Sequence, residues 1–90
     1  MNVTVEIRLR TDGLTWREID DELVVLDVVR SNYLATNEAG SLLWRSLAAG
    51  TTRDDLVREL SDAFELEADT ASADVDRFLD ELRAQALLEE

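Results

Sequence analysis

The spacing of the apolar residues changes once along this chain, close to Asn37. Before that point apolar residues alternate with polar ones, which predicts strands over residues 3–9, 15–19 and 33–36. The run 23–29 is apolar at nearly every position and predicts a strand covered on both faces. After Asn37 the apolar residues recur at helical spacing.

Three helices are predicted in the second part of the chain. Asn37 is a good N-cap for the first, and Gly50 follows its last apolar residue. Thr52 caps the second helix, and Asp69 or Thr70 caps the third. Strands followed by helices predict an α+β domain over residues 1–90, in which a small antiparallel sheet precedes three helices in a winged-helix-turn-helix-like outline.

The composition excludes most enzyme chemistry. The 90 residues contain no histidine, cysteine or lysine, so the serines and threonines have no ordinary base to activate them. No acidic cluster has the spacing of a calcium loop, and the three glycines are too scattered to cradle a phosphate. We therefore expect no catalytic residues, no metal and no cofactor.

The charge constrains the partners. Nine arginines face 21 acids, for a net charge of −12, which disfavours phosphate backbones and anionic membranes. The second and third predicted helices each carry a net charge of −2, the wrong sign for a DNA-reading helix. No signal peptide or membrane-spanning segment is recognisable, so we expect a cytoplasmic protein without nucleic-acid or membrane partners.

The predicted third helix has an uneven apolar stripe. Val75, Leu79 and Leu82 cluster near its centre, whereas Phe78 lies about 60° to one side of Val75. Asp74 falls on the flank of Phe78, as does Glu81. Phe78 is either the edge of the core or one wall of a groove with an acidic rim.

The second unusual feature is the short strand near residues 32–36. Nothing in the sequence predicts a partner for its free side, and no proline blunts it. Either this edge accepts a peptide as an added strand, or the N-terminal strand or a second copy covers it.

Several short motifs, in this order, resemble the PqqD-like family of RiPP precursor recognition elements. They are Leu26-Asp27, Tyr33-Leu34-Ala35-Thr36-Asn37-Glu38-Ala39-Gly40, Leu43-Trp44, Gly50-Thr51-Thr52, Asp74-Val75, Phe78-Leu79, Leu82 and Leu87-Leu88. The resemblance covers residues 16–88 and is greatest to the stand-alone leader-binding subunits of lasso peptide biosynthesis.

The chain departs from the family pattern at two positions. Thr36 stands where the family usually has Leu, and Ala86 stands where it usually has Gly. An alanine in a left-handed cap costs on the order of 1 kcal/mol, which favours a different end to the last helix.

The resemblance implies a non-catalytic protein that binds the leader of a ribosomal precursor peptide as an added antiparallel strand. It would present the leader to a transglutaminase-like cysteine peptidase and to a macrocyclase. The residues expected to bind the peptide are Asn32, Tyr33, Leu34, Ala35, Thr36, Asp74, Val75, Phe78, Glu81 and Leu82. The alternatives are the same module in another modified-peptide pathway and a winged-helix transcription regulator.

Overall fold

The computed structural model describes residues 5–89 and contains three strands followed by three helices. The elements are β1 (Leu14–Ile19), β2 (Glu22–Asp27), β3 (Asn32–Thr36), α1 (Glu38–Ala49), α2 (Arg53–Phe64) and α3 (Ala68–Ala84). The predicted α+β class, with the sheet first and three helices after it, is confirmed. Within the described range, no helix is long and apolar enough to span a membrane.

The three strands form an antiparallel sheet in the order β1-β2-β3. In β2 the burial alternates: Leu23 and Val25 are buried, whereas Val24 is 38% exposed and Leu26 is 47% exposed. The prediction that this strand is covered on both faces is therefore wrong. The helices pack on one face only, and an uninterrupted apolar run cannot reveal which of its two faces finds a partner.

The core lies between the inner face of the sheet and the three helices. Trp44 of α1 is fully buried, and its ring meets that of Trp16 edge to face at a centroid distance of 5.5 Å. The other buried apolar residues of this core are Leu9, Leu23, Val25, Leu34, Leu43, Leu47, Leu56, Leu60, Ala71, Val75, Leu79, Leu82, Leu87 and Leu88.

The N-terminal segment is extended but does not join the sheet in its described part, which begins at Val5. Ile7 forms a single bridge with Thr51, and Leu9 forms another with Leu88. The strand predicted for residues 3–9 is thus reduced to two isolated pairings, and its first two residues lie outside the described range. The alternation reflects packing of Leu9 into the core rather than a ladder with β1.

Asp27 fastens this segment to the end of β2. Its Oδ1 atom accepts hydrogen bonds from Arg10 Nη2 at 2.7 Å and from the backbone N–H groups of Val29 and Arg30 at 3.1 Å each. Burial by itself raises the pKa of the Asp27 carboxyl, but these donors outweigh it and hold the pKa below its usual value.

Side-chain capping sets the starts of α1 and α2 as predicted, but the predicted start of α3 is wrong. Asn37 Oδ1 accepts from the Gly40 N–H, and Thr52 Oγ1 accepts from the Asp55 N–H, as their sequence positions predict. The third helix begins at Ala68, before the predicted caps Asp69 and Thr70, and its N-cap Glu67 makes no side-chain cap bond. Because the chain turns sharply after α2, where Glu65 is left-handed, it re-enters helical geometry early.

The turn after α3 contains a left-handed residue, so the expectation of a different end to this helix is wrong. Ala86 has a φ of 56°, so the alanine adopts the conformation that favours glycine. The Ala86 N–H bonds to the Arg83 carbonyl and the Leu87 N–H to the Leu82 carbonyl, and Arg10 Nη1 donates to the Ala86 carbonyl at 2.9 Å. These contacts hold the turn despite its backbone cost.

Candidate functional site

A groove of about 300 Å³ runs between β3, the first turns of α1 and one flank of α3. Its floor and walls are mainly apolar, and charged side chains stand only on the α3 side. The residues that line it are Leu34, Ala35, Thr36, Asn37, Ala39, Gly40, Leu43, Leu60, Leu66, Asp74, Arg77, Phe78 and Glu81.

The strand beside this groove has an open edge. Among residues 5–89, β3 pairs with β2 and with no other strand. The alternative in which the N-terminal segment covers this edge is therefore excluded for its described part, because Ile7 and Leu9 pair elsewhere. An edge strand with free backbone donors and acceptors is a site for strand addition.

A chain of hydroxyl groups fixes the end of β3 to the start of α1. Thr36 Oγ1 lies 2.6 Å from Ser41 Oγ, which donates to the Asn37 carbonyl at 2.8 Å. Both hydroxyls are buried, so the threonine that departs from the family pattern is satisfied by a serine one helical turn away. The link holds the open strand at a fixed distance from the helices.

Gly40 allows the groove to narrow at this end. A Cβ atom on Gly40 would lie 3.1 Å from Thr36 Cβ and 3.3 Å from Phe78 Cε1. The missing side chain lets Phe78 of α3 close over the α1 backbone next to β3. The sequence gives no direct signal for this role, because a glycine in a helix has many possible reasons.

The apolar residues expected on α3 divide between wall and core. Phe78 is half-buried and lines the groove, in keeping with its place on the flank of the stripe. Val75 and Leu82 are fully buried in the core and do not line the groove. Any effect of these two residues on peptide binding would be indirect, because they position α3 rather than touch the peptide.

The charged rim contains one residue that the sequence did not single out. Asp74 and Glu81 both line the groove, but Arg77 stands between them and its Nη1 atom lies 3.2 Å from Asp74 Oδ1. Arg77 is three residues from Asp74 on a helix, and that spacing signals an ion pair. The rim therefore carries two acids and one arginine, and within residues 5–89 an ion pair is seen for Asp74 but not for Glu81.

The first two residues of β3 lie outside the groove lining. Asn32 pairs with Asp27 at the far end of the strand, and Tyr33 is 72% exposed. Tyr33 pairs with Leu26 and shares with it the face turned away from the helices, which we call the outer sheet face together with Val24 and Ile19. These two residues can take part in binding through the strand edge rather than the groove.

One further ion pair lies outside the groove lining and joins α2 to α3. Arg53 of α2 binds both carboxylate oxygens of Asp76 on α3, at 2.7 and 2.9 Å. These hydrogen bonds raise the pKa of Arg53 and lower that of Asp76. In the described range no group of three or more acids has a geometry that could hold a metal ion.

The described residues thus form a small α+β domain with an open strand edge beside an apolar groove, a geometry that suits an extended segment. The chain belongs to the family of coenzyme PQQ synthesis protein D (PqqD), which it matches over residues 22–88. No curated protein matches this sequence.

Two solved structures share the fold closely. One is TbiB1 in complex with the TbiA(beta) leader peptide, at 27% identity and a TM-score of 0.83, with 91% of this chain and 94% of that chain covered. The other is a lasso peptide synthetase B1 complexed with the leader peptide, at 23% identity and a TM-score of 0.82, with 96% and 100% covered. The second likeness concerns the fold alone.

Proposed function

We propose that this protein binds the leader segment of a ribosomal precursor peptide and catalyses no reaction itself. The observation that carries the proposal is the open edge of β3 directly beside an apolar groove. A leader in extended conformation adds to the edge by backbone hydrogen bonds, and its side chains reach Leu34 and Phe78. The relative TbiB1, which has the same fold, was solved with a leader peptide bound.

The pathway we favour is lasso peptide biosynthesis. The motifs over residues 33–40, 43–44 and 50–52 resemble those of the stand-alone leader-binding subunits of this pathway. TbiB1, at 27% identity, was solved with a leader peptide. In this pathway the protein presents the leader to a cysteine peptidase and to a macrocyclase, in the cytoplasm where ribosomal peptides are made. The residues that would contact the leader are those of β3 together with Asp74, Phe78 and Glu81.

The charge supports a peptide partner over DNA. The groove rim carries Glu81 and the Asp74–Arg77 pair, so a leader with basic residues is attracted and a phosphate backbone is repelled. A regulator that reads DNA would need a basic surface along α3, but four acids and only two arginines are exposed there.

Calorimetric titration of the full chain with synthetic leader tests the proposal. The neighbouring open reading frames are first searched for a short precursor peptide; its leader is the probe, and its C-terminal core segment is the control peptide. We expect saturable one-to-one binding of the leader and none of the core. Binding of the core with equal affinity would contradict leader recognition.

The same samples test for catalysis. Mass spectrometry of the precursor after incubation with the protein alone should show an unchanged mass, because the chain has no histidine, cysteine or lysine. Release of the leader without any partner would overturn the non-catalytic assignment.

A gel shift at physiological salt tests the alternative of a DNA-binding regulator. With random duplex DNA it should show no complex.

A further inference from the structure

The backbone of β3 presents only alternate residues to a ligand, and the β1–β2 ladder shows which ones. The Val28 N–H donates to the Gly13 carbonyl at 2.9 Å, and these two residues continue the register of β1 and β2. In an antiparallel ladder hydrogen-bonded and non-hydrogen-bonded pairs alternate. Val24 and Leu26 therefore direct their backbone groups towards β1.

The intervening residues of β2 direct theirs towards β3. The hydrogen-bonded pairs across β2 and β3 are consequently Leu23 with Thr36, Val25 with Leu34, and Asp27 with Asn32. The two residues of β3 that do not form hydrogen-bonded pairs with β2 are Tyr33 and Ala35. Their N–H and C=O groups point to the open edge, and within residues 5–89 neither residue makes a backbone hydrogen bond outside the sheet.

We infer that the leader is recognised through two of its backbone amides, two residues apart, which exchange hydrogen bonds with Tyr33 and Ala35. This inference rests on the proposed function and adds a register to it. The leader residue between those two lies opposite Leu34, and the residue on the Ala35 side lies opposite Thr36. Because side chains of directly opposed residues share a face, both of these leader side chains enter the groove.

The two kinds of leader position have different chemical requirements. Residues opposite Leu34 and Thr36 face a wall formed by Phe78, so apolar side chains suit them, but their own N–H groups point away from β3. Residues opposite Tyr33 and Ala35 must keep a free N–H, while their side chains lie over the outer sheet face and are exposed. The recognised class is thus an extended peptide with alternate apolar residues and two obligatory amides.

A scan of N-methylated leader peptides tests the register without altering the protein. Methylation removes one N–H and blocks close approach of the strand at that residue only. We expect affinity to fall about tenfold or more at two positions two residues apart, and less than about threefold at the position between them. An alanine scan of the leader should give the complementary result: replacing the residue opposite Leu34, between the two sensitive amides, should weaken binding.

Amide hydrogen exchange of the full chain, followed by NMR, tests the protein side. In the free protein the amides of Leu34 and Thr36 should exchange slowly and those of Tyr33 and Ala35 quickly. Saturating leader should slow Tyr33 and Ala35 by at least about tenfold more than it slows a control amide in α2, that of Arg58, which reports the overall stabilisation by the ligand.

The outcomes separate this inference from the proposed function. If the leader binds and its sensitive amides are adjacent, or Tyr33 and Ala35 stay unprotected, the register is wrong while leader binding stands. If no leader binds, the proposed function fails and the inference about the ligand fails with it.

Discussion

Phe78 is the residue on which recognition and folding can be separated. It is half-buried on the groove side of α3, whereas Leu79 beside it is buried in the core. We expect Phe78→Ala to weaken leader binding by about 2 kcal/mol, or roughly thirtyfold, the scale of an aromatic anchor. The measurement is calorimetric titration together with thermal unfolding of each variant.

The chain contains a matched control for this substitution. Phe64 is the second phenylalanine, also half-buried against the core, but it lies in α2 and does not line the groove. Phe64→Ala should leave leader affinity unchanged, and Leu79→Ala should cost about 2–5 kcal/mol of stability. If Phe78→Ala lowers stability as much as Leu79→Ala, Phe78 is a core residue and the groove is not its site of action.

Asp27 predicts an acid-sensitive contribution to stability. Its folded-state pKa is lowered, so its contribution is complete above the unfolded pKa of about 3.9 and is lost as the pH falls through the folded value. Asp27→Asn should therefore be less stable than the wild type at pH 7, and the difference should shrink below about pH 4.

Urea unfolding at a series of pH values measures this difference directly. Taking the difference between the two proteins cancels the titration of the other acids. A gap that stays constant down to pH 2 would show that the carboxylate of Asp27 contributes no charge-dependent stability.

The turn after α3 includes an alanine in a left-handed conformation, and its steric cost to folding can be removed by one substitution. Ala86 sits at a φ of 56°, where glycine has no steric penalty. We expect Ala86→Gly to stabilise the domain by about 1 kcal/mol, although glycine loses more freedom on folding and offsets part of the gain. Leader affinity should not change, because Ala86 does not line the groove.

A glycine placed inside the same helix is the appropriate comparison. Ala73 is exposed in the middle of α3, and Ala73→Gly should destabilise by about 1 kcal/mol. Urea unfolding of both variants gives the two changes with opposite signs. Equal destabilisation by both would mean that the turn at residue 86 gains nothing from glycine.

The elements differ in how far the sequence determined them. Asn37 and Thr52 were identifiable as caps because their side chains bond the backbone locally. The exposure of one face of β2 could not be predicted, because Val24 and Leu26 are apolar residues that fit a buried face and an exposed face equally well. The start of α3 was missed because Glu67 caps through its backbone alone.

The site shows the same division between local and long-range information. The flank position of Phe78 follows from helix geometry, and the structure does bring it to the strand that the sequence left unpaired. The contributions of Gly40, Leu60 and Leu66 depend on how three helices pack, and no local pattern encodes that. The spacing of Asp74 and Arg77 on α3 was available in the sequence, but their ion pair was not predicted, and it makes the rim less negative than expected.

For the whole molecule, charge is unevenly distributed between the sheet and the helices. Five arginines and fourteen acids lie in residues 37–90, against four arginines and seven acids before them. The groove lies on the boundary, with its acidic rim on the helical side. A basic leader is therefore steered towards the groove from a distance but held there mainly by short-range contacts.

This distribution predicts a weak dependence of leader affinity on salt. Exposed rim pairs contribute roughly 0–1 kcal/mol each and are screened, so affinity should fall only a few-fold from low to high salt. Stopped-flow kinetics should show the change in the association rate, with little change in dissociation. A loss of several orders of magnitude would mean that electrostatics, rather than the groove and the strand edge, dominates binding.

The open edge of β3 also has a colloidal consequence. An unpaired strand without proline or lysine accepts a second copy of itself as readily as any other extended segment, and sheets of this kind grow by such contacts. The excess of acids keeps copies apart at neutral pH by mutual repulsion. That repulsion is smallest near the isoelectric point of about 4.2, so we expect mild acid to promote edge-to-edge self-association.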